Sequence, residues 1–207
     1  MKLQNVKWAF GIAIVIGSMV FWATGQDLVA VTTICPNIIL DIRYATTNNF
    51  TGQQVYPSAK ACLLIPTARK LAAAQAELEK QGLGLKVFDA YRPIAVQKRF
   101  WEILPDERYV ADPKKGSRHN RGSAVDVTLV RLETGQELPM PTPYDDFTDR
   151  AGYAWTNLPP EVLENRQLLR DVMTRNGFAA FLTEWWHFDD SDWPAYPLLD
   201  LDIEDLP

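Results

Sequence analysis

The chain has 207 residues, enough for one domain with a substantial core. Hydrophobic residues make up 47% and charged residues 23%, which excludes a disordered chain and a many-span membrane protein. A net charge of −5 leaves no basic footprint, so no nucleic-acid partner is expected.

Residues 1–25 read differently from the rest. Lys2 and Lys7 flank an uncharged run over residues 8–26 that contains Ile12, Ile14, Val15, Ile16, Val20 and Phe21. A positive flank before an apolar run predicts a signal peptide or an N-terminal membrane anchor. Ala23-Thr24-Gly25 offers small residues for cleavage, while Trp8 and Trp22 suit the two edges of a retained span. Either way the remaining domain, residues 26–207, is expected on the periplasmic or extracellular side, with membrane attachment through residues 8–25 in the anchored case. Export makes Cys35 and Cys62 candidates for a disulfide closing a loop of roughly 27 residues. No Cys-x-x-Cys motif suggests zinc held by thiolates.

Ile39, Asp41 and Arg43 alternate with Leu40, Ile42 and Tyr44, predicting a strand after Pro36. A loop follows at Asn48-Asn49-Phe50-Thr51-Gly52. Pro66 opens a helix over residues 66–81, with Ala68, Leu71, Ala74 and Leu78 on its apolar side. Residues 85–89 read as a strand, and Pro93 starts a second helix with Ala95, Val96, Phe100 and Ile103 as burial candidates. Residues 123–130 alternate as a strand with Ala124, Asp126 and Thr128 on one face. A long loop over 134–160 is expected to wall a site, and a third helix runs from Pro160 to Asn176-Gly177. Residues 178–188 predict a strand or strand pair, and 189–207 an acidic surface tail. This mixture predicts an α+β domain with a central, mainly antiparallel sheet and flanking helices.

The chain has only two histidines, His119 and His187. His119 sits in Ser-Arg-His-Asn-Arg-Gly-Ser-Ala-Val-Asp, seven residues before Asp126, and His187 ends Glu184-Trp185-Trp186-His187. Catalytic zinc takes three His, Asp or Glu ligands and keeps a position open. Glu184 could complete such a set. His119, Asp126 and His187 are the preferred ligands, because two neutral donors and one anion leave Glu184 to act as a base. On a strand, Glu184 and His187 would need a bulge to reach one point. Trp185 and Trp186 give an apolar wall that would raise the pKa of a neighbouring carboxylate. Arg92, at a strand-to-helix junction, is a candidate to stabilise an oxyanion, or else a salt-bridge partner of Asp89.

Taken together, these residues resemble the zinc-dependent D-Ala-D-Ala dipeptidases of the vancomycin-resistance type, within the hedgehog/D,D-peptidase fold group. The resemblance rests on Asp41-Ile-Arg-Tyr-Ala-Thr, Asn49-Phe-Thr-Gly, Asp89-Ala-Tyr-Arg-Pro, Ser117-x-His-x-x-Gly-x-Ala-x-Asp126 and Glu184-Trp-Trp-His187, in the family's order. It implies one zinc per chain on His119, Asp126 and His187, Glu184 as catalytic base and Arg92 on the tetrahedral intermediate. It implies that Tyr44 and Ser117 line the substrate site and that Asp146 receives the ammonium of a D-Ala-D-Ala substrate. The competing expectations are a D,D-carboxypeptidase or murein endopeptidase on longer peptides, and a non-catalytic wall-binding module with structural zinc.

Overall fold

A computed structural model describes residues 27–207. The signal peptide or anchor expected over residues 1–25 lies outside the described residues. Among the described residues, no helix is long and apolar enough to cross a membrane.

The domain is α+β, as its sequence pattern predicts. In chain order its elements are β1 (Leu28–Ala30), α1 (Val31–Ile34), β2 (Ile39–Leu40), β3 (Cys62–Leu64), α2 (Ile65–Glu79), β4 (Leu83–Asp89), α3 (Ile94–Ile103), β5 (Ala124–Arg131), α4 (Pro160–Arg175), β6 (Phe178–Ala180) and β7 (His187–Asp190). β1 pairs antiparallel with β3, while the main sheet has the order β2-β4-β5-β7-β6. Only β2 runs parallel to its neighbour. The strand expected after Pro36 is cut to two residues, because the chain turns into a 3-10 segment at Arg43–Ala45.

One face of the sheet is covered by helices. Leu85, Val87, Val127 and Leu129 are fully buried together with Leu71, Ala74 and Leu78 of α2 and Leu169, Val172 and Met173 of α4. Each large aliphatic side chain so buried stabilises the fold by about 1.5–3 kcal/mol. Gln75 pins α2 to β4 by accepting the Leu85 N–H at 2.7 Å. In α3 the expected apolar stripe is only partly buried, since Ala95 is exposed and Ile103 is 46% exposed. Gln97 is buried instead, because it bridges Arg92 and the Ala111 carbonyl.

Two further expectations fail. Cys35 and Cys62 are free buried thiols, the second donating to the Pro207 carbonyl rather than facing a sulfur. The C-terminal segment is not a loose tail. Ile203 and Leu206 are buried, the Tyr91 hydroxyl donates to the Leu201 carbonyl at 3.0 Å, and Leu199 N–H reaches the Asn120 carbonyl at 2.8 Å. That last bond braces the loop next to His119.

Candidate active site

The other face of the sheet carries the site, and strand register builds it. Asp126 of β5 stands opposite His187 of β7, and on its other side opposite Asp89 of β4. Directly opposed side chains lie a few ångströms apart, so three adjacent strands bring these groups together. The β4–β5 register shifts between Val87 and Asp89, and the opposition of Asp89 and Asp126 lies past that irregularity.

His119 arrives from a one-turn 3-10 segment, His119–Arg121, just before β5. Gly122 ends that turn with φ +65°. A Cβ there would also fall 2.6 Å from Leu28 Cδ2 and 3.2 Å from the Leu64 nitrogen, so the approach demands glycine.

Glu184 sits neither on a strand nor at a bulge. Residues 181–186 form two consecutive turns between β6 and β7, closed by Phe181 N–H to the His187 carbonyl at 3.1 Å. The bulge is unnecessary, because the turns let Glu184 and His187 face the same cavity. Trp185 and Trp186 are both buried, and Trp186 lines the cavity.

The donor atoms of His119, Asp126 and His187 converge. His119 Nε2 is 3.1 Å from His187 Nδ1 and 3.4 Å from Asp126 Oδ1, and His187 Nδ1 is 3.0 Å from that same oxygen. Ligands about 2.0–2.1 Å from a tetrahedral zinc lie about 3.3 Å apart, so the triangle has the size of such a site. The outer atoms are committed elsewhere. His119 Nδ1 donates to the Ala90 carbonyl at 2.6 Å, His187 Nε2 donates to Asp189 Oδ1 at 2.9 Å, and Asp126 Oδ2 accepts the Tyr144 hydroxyl at 2.8 Å. These partners leave two nitrogen lone pairs and one carboxylate oxygen aimed at a common point.

Electrostatics favours positive charge there. Burial alone would raise the pKa of Asp126, but the facing His119 and His187 hold it far below the usual carboxylate range. Burial opposes charge on His187, yet Asp189 and Asp126 outweigh it and lift its pKa well above the ordinary imidazole value. Glu184 goes the other way. Burial, reinforced by Asp126 and Asp145 and opposed by His187 and Arg92, raises it to about 8. Its Oε1 is buried with no hydrogen-bond partner among the described residues, and the side chain lines the cavity.

Arg92 makes the salt bridge to Asp89 and also reaches the cavity wall. Its Nε and Nη2 donate to Asp89 Oδ2 at 3.1 and 2.7 Å, its Nη1 donates to Gln97 Oε1 at 2.9 Å, and it lines the cavity. A guanidinium has five N–H bonds, so two remain for a ligand. Its Cζ lies 4.8 Å from the centre of the Phe100 ring. Tyr44 and Ser117 also line the cavity, which holds about 620 Å³ of empty space including its mouth. Ser117 Oγ accepts the His119 N–H at 3.2 Å.

Asp146 is not part of this lining, and its neighbour Asp145 is. Asp145 has φ +62°, the single positive value for a non-glycine among the described residues. Its Oδ1 accepts the Tyr44 hydroxyl and its Oδ2 the Phe50 N–H, both at 3.1 Å. Burial raises its pKa to about 7, despite the relief from Phe50. The cavity lining expected of Asp146 thus falls to the residue before it, placed there by a left-handed backbone turn that three aspartates in a row of five residues conceal.

Sequence reasoning also missed Asp189, Tyr144 and Arg118. Asp189 was findable, because it lies two residues after His187 on one strand and so shares its face. Tyr144 and Arg118 carried no local signal.

Two imidazoles and a carboxylate spaced to hold a metal ion, with an unpartnered glutamate in the same cavity, are the kind of arrangement found in metal-dependent hydrolases. Comparison with known proteins narrows that class. The family described as D-Ala-D-Ala dipeptidase, a peptidase family, matches residues 24–203. A D-alanyl-D-alanine dipeptidase of Escherichia coli K12 is 37% identical over 173 residues, covering 84% of this chain and 89% of that protein. Another, from Enterococcus faecium, is 34% identical over 177 residues, covering 76% and 87%. A zinc-bound mutant of the vancomycin-resistance D,D-pentapeptidase VanY aligns with a TM-score of 0.42 at 17% identity, over 67% of this chain and 78% of that one. The chain belongs to the D-Ala-D-Ala dipeptidase family.

Proposed function

We propose that this chain hydrolyses the free dipeptide D-Ala-D-Ala to D-alanine, using one zinc ion held by His119, Asp126 and His187. The observation that carries the reading is their convergence within one ion's reach, beside a cavity lined by the unpartnered carboxyl of Glu184. The curated relatives bear the name of this reaction, which supports the choice of substrate. Zinc, when bound, supplies Lewis-acid polarisation and a more acidic water.

The chain's own residues supply the remainder. Glu184 takes a proton from the attacking water, and its raised pKa suits exchange near neutrality. The water oxygen bonds to the carbonyl carbon and the C–N bond breaks. Glu184 returns the proton to the leaving nitrogen, giving two molecules of D-alanine. Arg92 turns its two free N–H bonds toward the charge that develops on the carbonyl oxygen, and the grip of Asp89 and Gln97 keeps that orientation fixed. Asp145, already oriented by Tyr44 and Phe50, receives the substrate ammonium. An N-blocked peptide would leave that buried carboxylate without its partner, which disfavours longer substrates.

The reaction is further proposed to run outside the cytoplasm, on dipeptide released during cell-wall peptide turnover. Lys2, Lys7 and the uncharged run after them support this part of the reading. Fractionation of the tagged full-length chain tests it, and recovery in the cytoplasm alone would remove it.

The enzymatic test is D-alanine release from D-Ala-D-Ala, with chelator and after zinc restoration, for the wild type and for Glu184→Ala. The expected variant keeps its zinc and loses activity by a factor of about 10² or more. Normal turnover by that variant, or turnover unaffected by chelator, refutes the mechanism. Faster cleavage of an N-blocked peptide than of the free dipeptide would identify a D,D-carboxypeptidase or endopeptidase instead. Zinc without hydrolysis of any peptide would indicate a non-catalytic module.

A further inference from the structure

The cavity is lined by two arginines, Arg92 and Arg118, and they are not equivalent. Arg92 is already bound on three of its nitrogens. Arg118 sits between Ser117 and His119, and its side chain donates no hydrogen bond to any group of the described residues. Its nearest anion is Asp189, whose Oδ2 lies 3.6 Å from Nε, beyond hydrogen-bonding range. The other oxygen of Asp189 is taken by His187 Nε2 at 2.9 Å. Arg118 Nε is buried without a partner, while the side chain as a whole remains 37% exposed.

The guanidinium is nonetheless held in place. It lies 4.5 Å from the ring centre of Trp193, which restrains the plane and leaves its in-plane donors open. A flat, restrained guanidinium without hydrogen-bonded partners is built to take a planar anion on two parallel N–H bonds. The dipeptide offers one such group. Its ammonium is met by Asp145 and its scissile carbonyl by Arg92, which leaves the C-terminal carboxylate to be recognised.

We propose that Arg118 binds the substrate's C-terminal carboxylate and makes a free carboxylate a requirement for cleavage. The inference rests on the dipeptidase reading and deepens it, since it assigns the specificity for the leaving residue to one side chain. Trp193 acts only by holding the guanidinium plane.

The experiment compares wild type with Arg118→Gln on D-Ala-D-Ala and on its C-terminal amide, with zinc content measured for both proteins. Losing hydrogen bonds to a charged group should lower kcat/KM on the acid by about 10- to 100-fold, chiefly through KM. The variant should cleave the amide as the wild type does, so that the preference for the acid disappears. Arg118→Lys, which keeps charge without the fork, should recover part of the loss on the acid. Equal losses on acid and amide would overturn the assignment and indicate that Arg118 acts through Asp189. No loss on either substrate would overturn it as well. A wild type inactive on D-Ala-D-Ala would instead overturn the dipeptidase reading, and the assignment with it.

Discussion

Replacing Asp145 with Asn, with Asp146→Asn alongside it, tests whether the backbone turn at residue 145 sets the specificity of the cavity. Asp145 lines the cavity with both oxygens oriented, by the Tyr44 hydroxyl and the Phe50 N–H at 3.1 Å each. Hydrogen bonds to a charged group contribute about 1.5–3 kcal/mol, so D145N should lower kcat/KM for D-Ala-D-Ala by about 10- to 150-fold. Asp146, outside the lining, should change it by less than about 2-fold. The pH dependence is a second readout. With a pKa raised to about 7, Asp145 is ionised and able to pair with ammonium only above that range. Activity should therefore rise with pH through about 7, and kcat/KM reports this free-enzyme group. Glu184, raised to about 8, must also be ionised, so the wild-type limb should be steep and the D145N limb shallower. Steady-state D-alanine release between pH 6 and pH 9 would decide it. A large loss in D146N with none in D145N, or an unchanged limb in D145N, refutes the reasoning.

Three further outcomes are expected. Asp189→Ala removes the partner of His187 Nε2 and should weaken zinc binding by about 10- to 100-fold, measured by competition with a chromophoric chelator. Zinc at 100 times its dissociation constant should stabilise the fold by about 2.7 kcal/mol over the chelated protein, raising Tm by about 5–10 °C in calorimetry. The same titration on a variant lacking both His119 and His187 should give no shift. Leu206→Asp should cost about 2–4 kcal/mol by placing a charge at a buried site, read as a lower urea midpoint, whereas the exposed Leu201→Asp should be nearly silent.

The cluster of His119, Asp126 and His187 was legible because histidine is scarce in this chain and each one sits in a dense motif. The central strands and long helices were legible from their periodicity, which the sheet's buried face enforces. What escaped was set by backbone geometry and by long-range contact. Nothing in the run Asp145-Asp146 announces which residue takes a left-handed φ, yet that angle decides which one reaches the cavity. The acidic composition of residues 189–207 conceals Ile203 and Leu206, whose burial depends on surfaces far away in sequence. An expected export argued for a disulfide, but compartment alone says nothing about whether two thiols face each other.

Three carboxylates occupy one region of the sheet, and their surroundings explain why only Asp126 calls for a metal. Asp89 already has a cation, the Arg92 guanidinium at 2.7 Å, and also accepts the Tyr56 hydroxyl at 2.8 Å. Asp189 spends Oδ1 on His187 Nε2–H and lies 3.6 Å from Arg118 through its other oxygen. Asp126 lies between them, faced by two imidazole nitrogens whose protons are held elsewhere, by Ala90 and by Asp189. Among the described residues its own Oδ1 has no arginine or lysine partner within salt-bridge range. A buried anion in that position needs a counter-charge. The flanking pairs thus do more than hold the fold: by satisfying Asp89 and Asp189 they concentrate the demand for positive charge at the one point where His119 and His187 can also donate. A substitution that released Arg92 from Asp89 would therefore spread that demand across the sheet, which is why metal content, and not activity alone, has to accompany a test of Arg92.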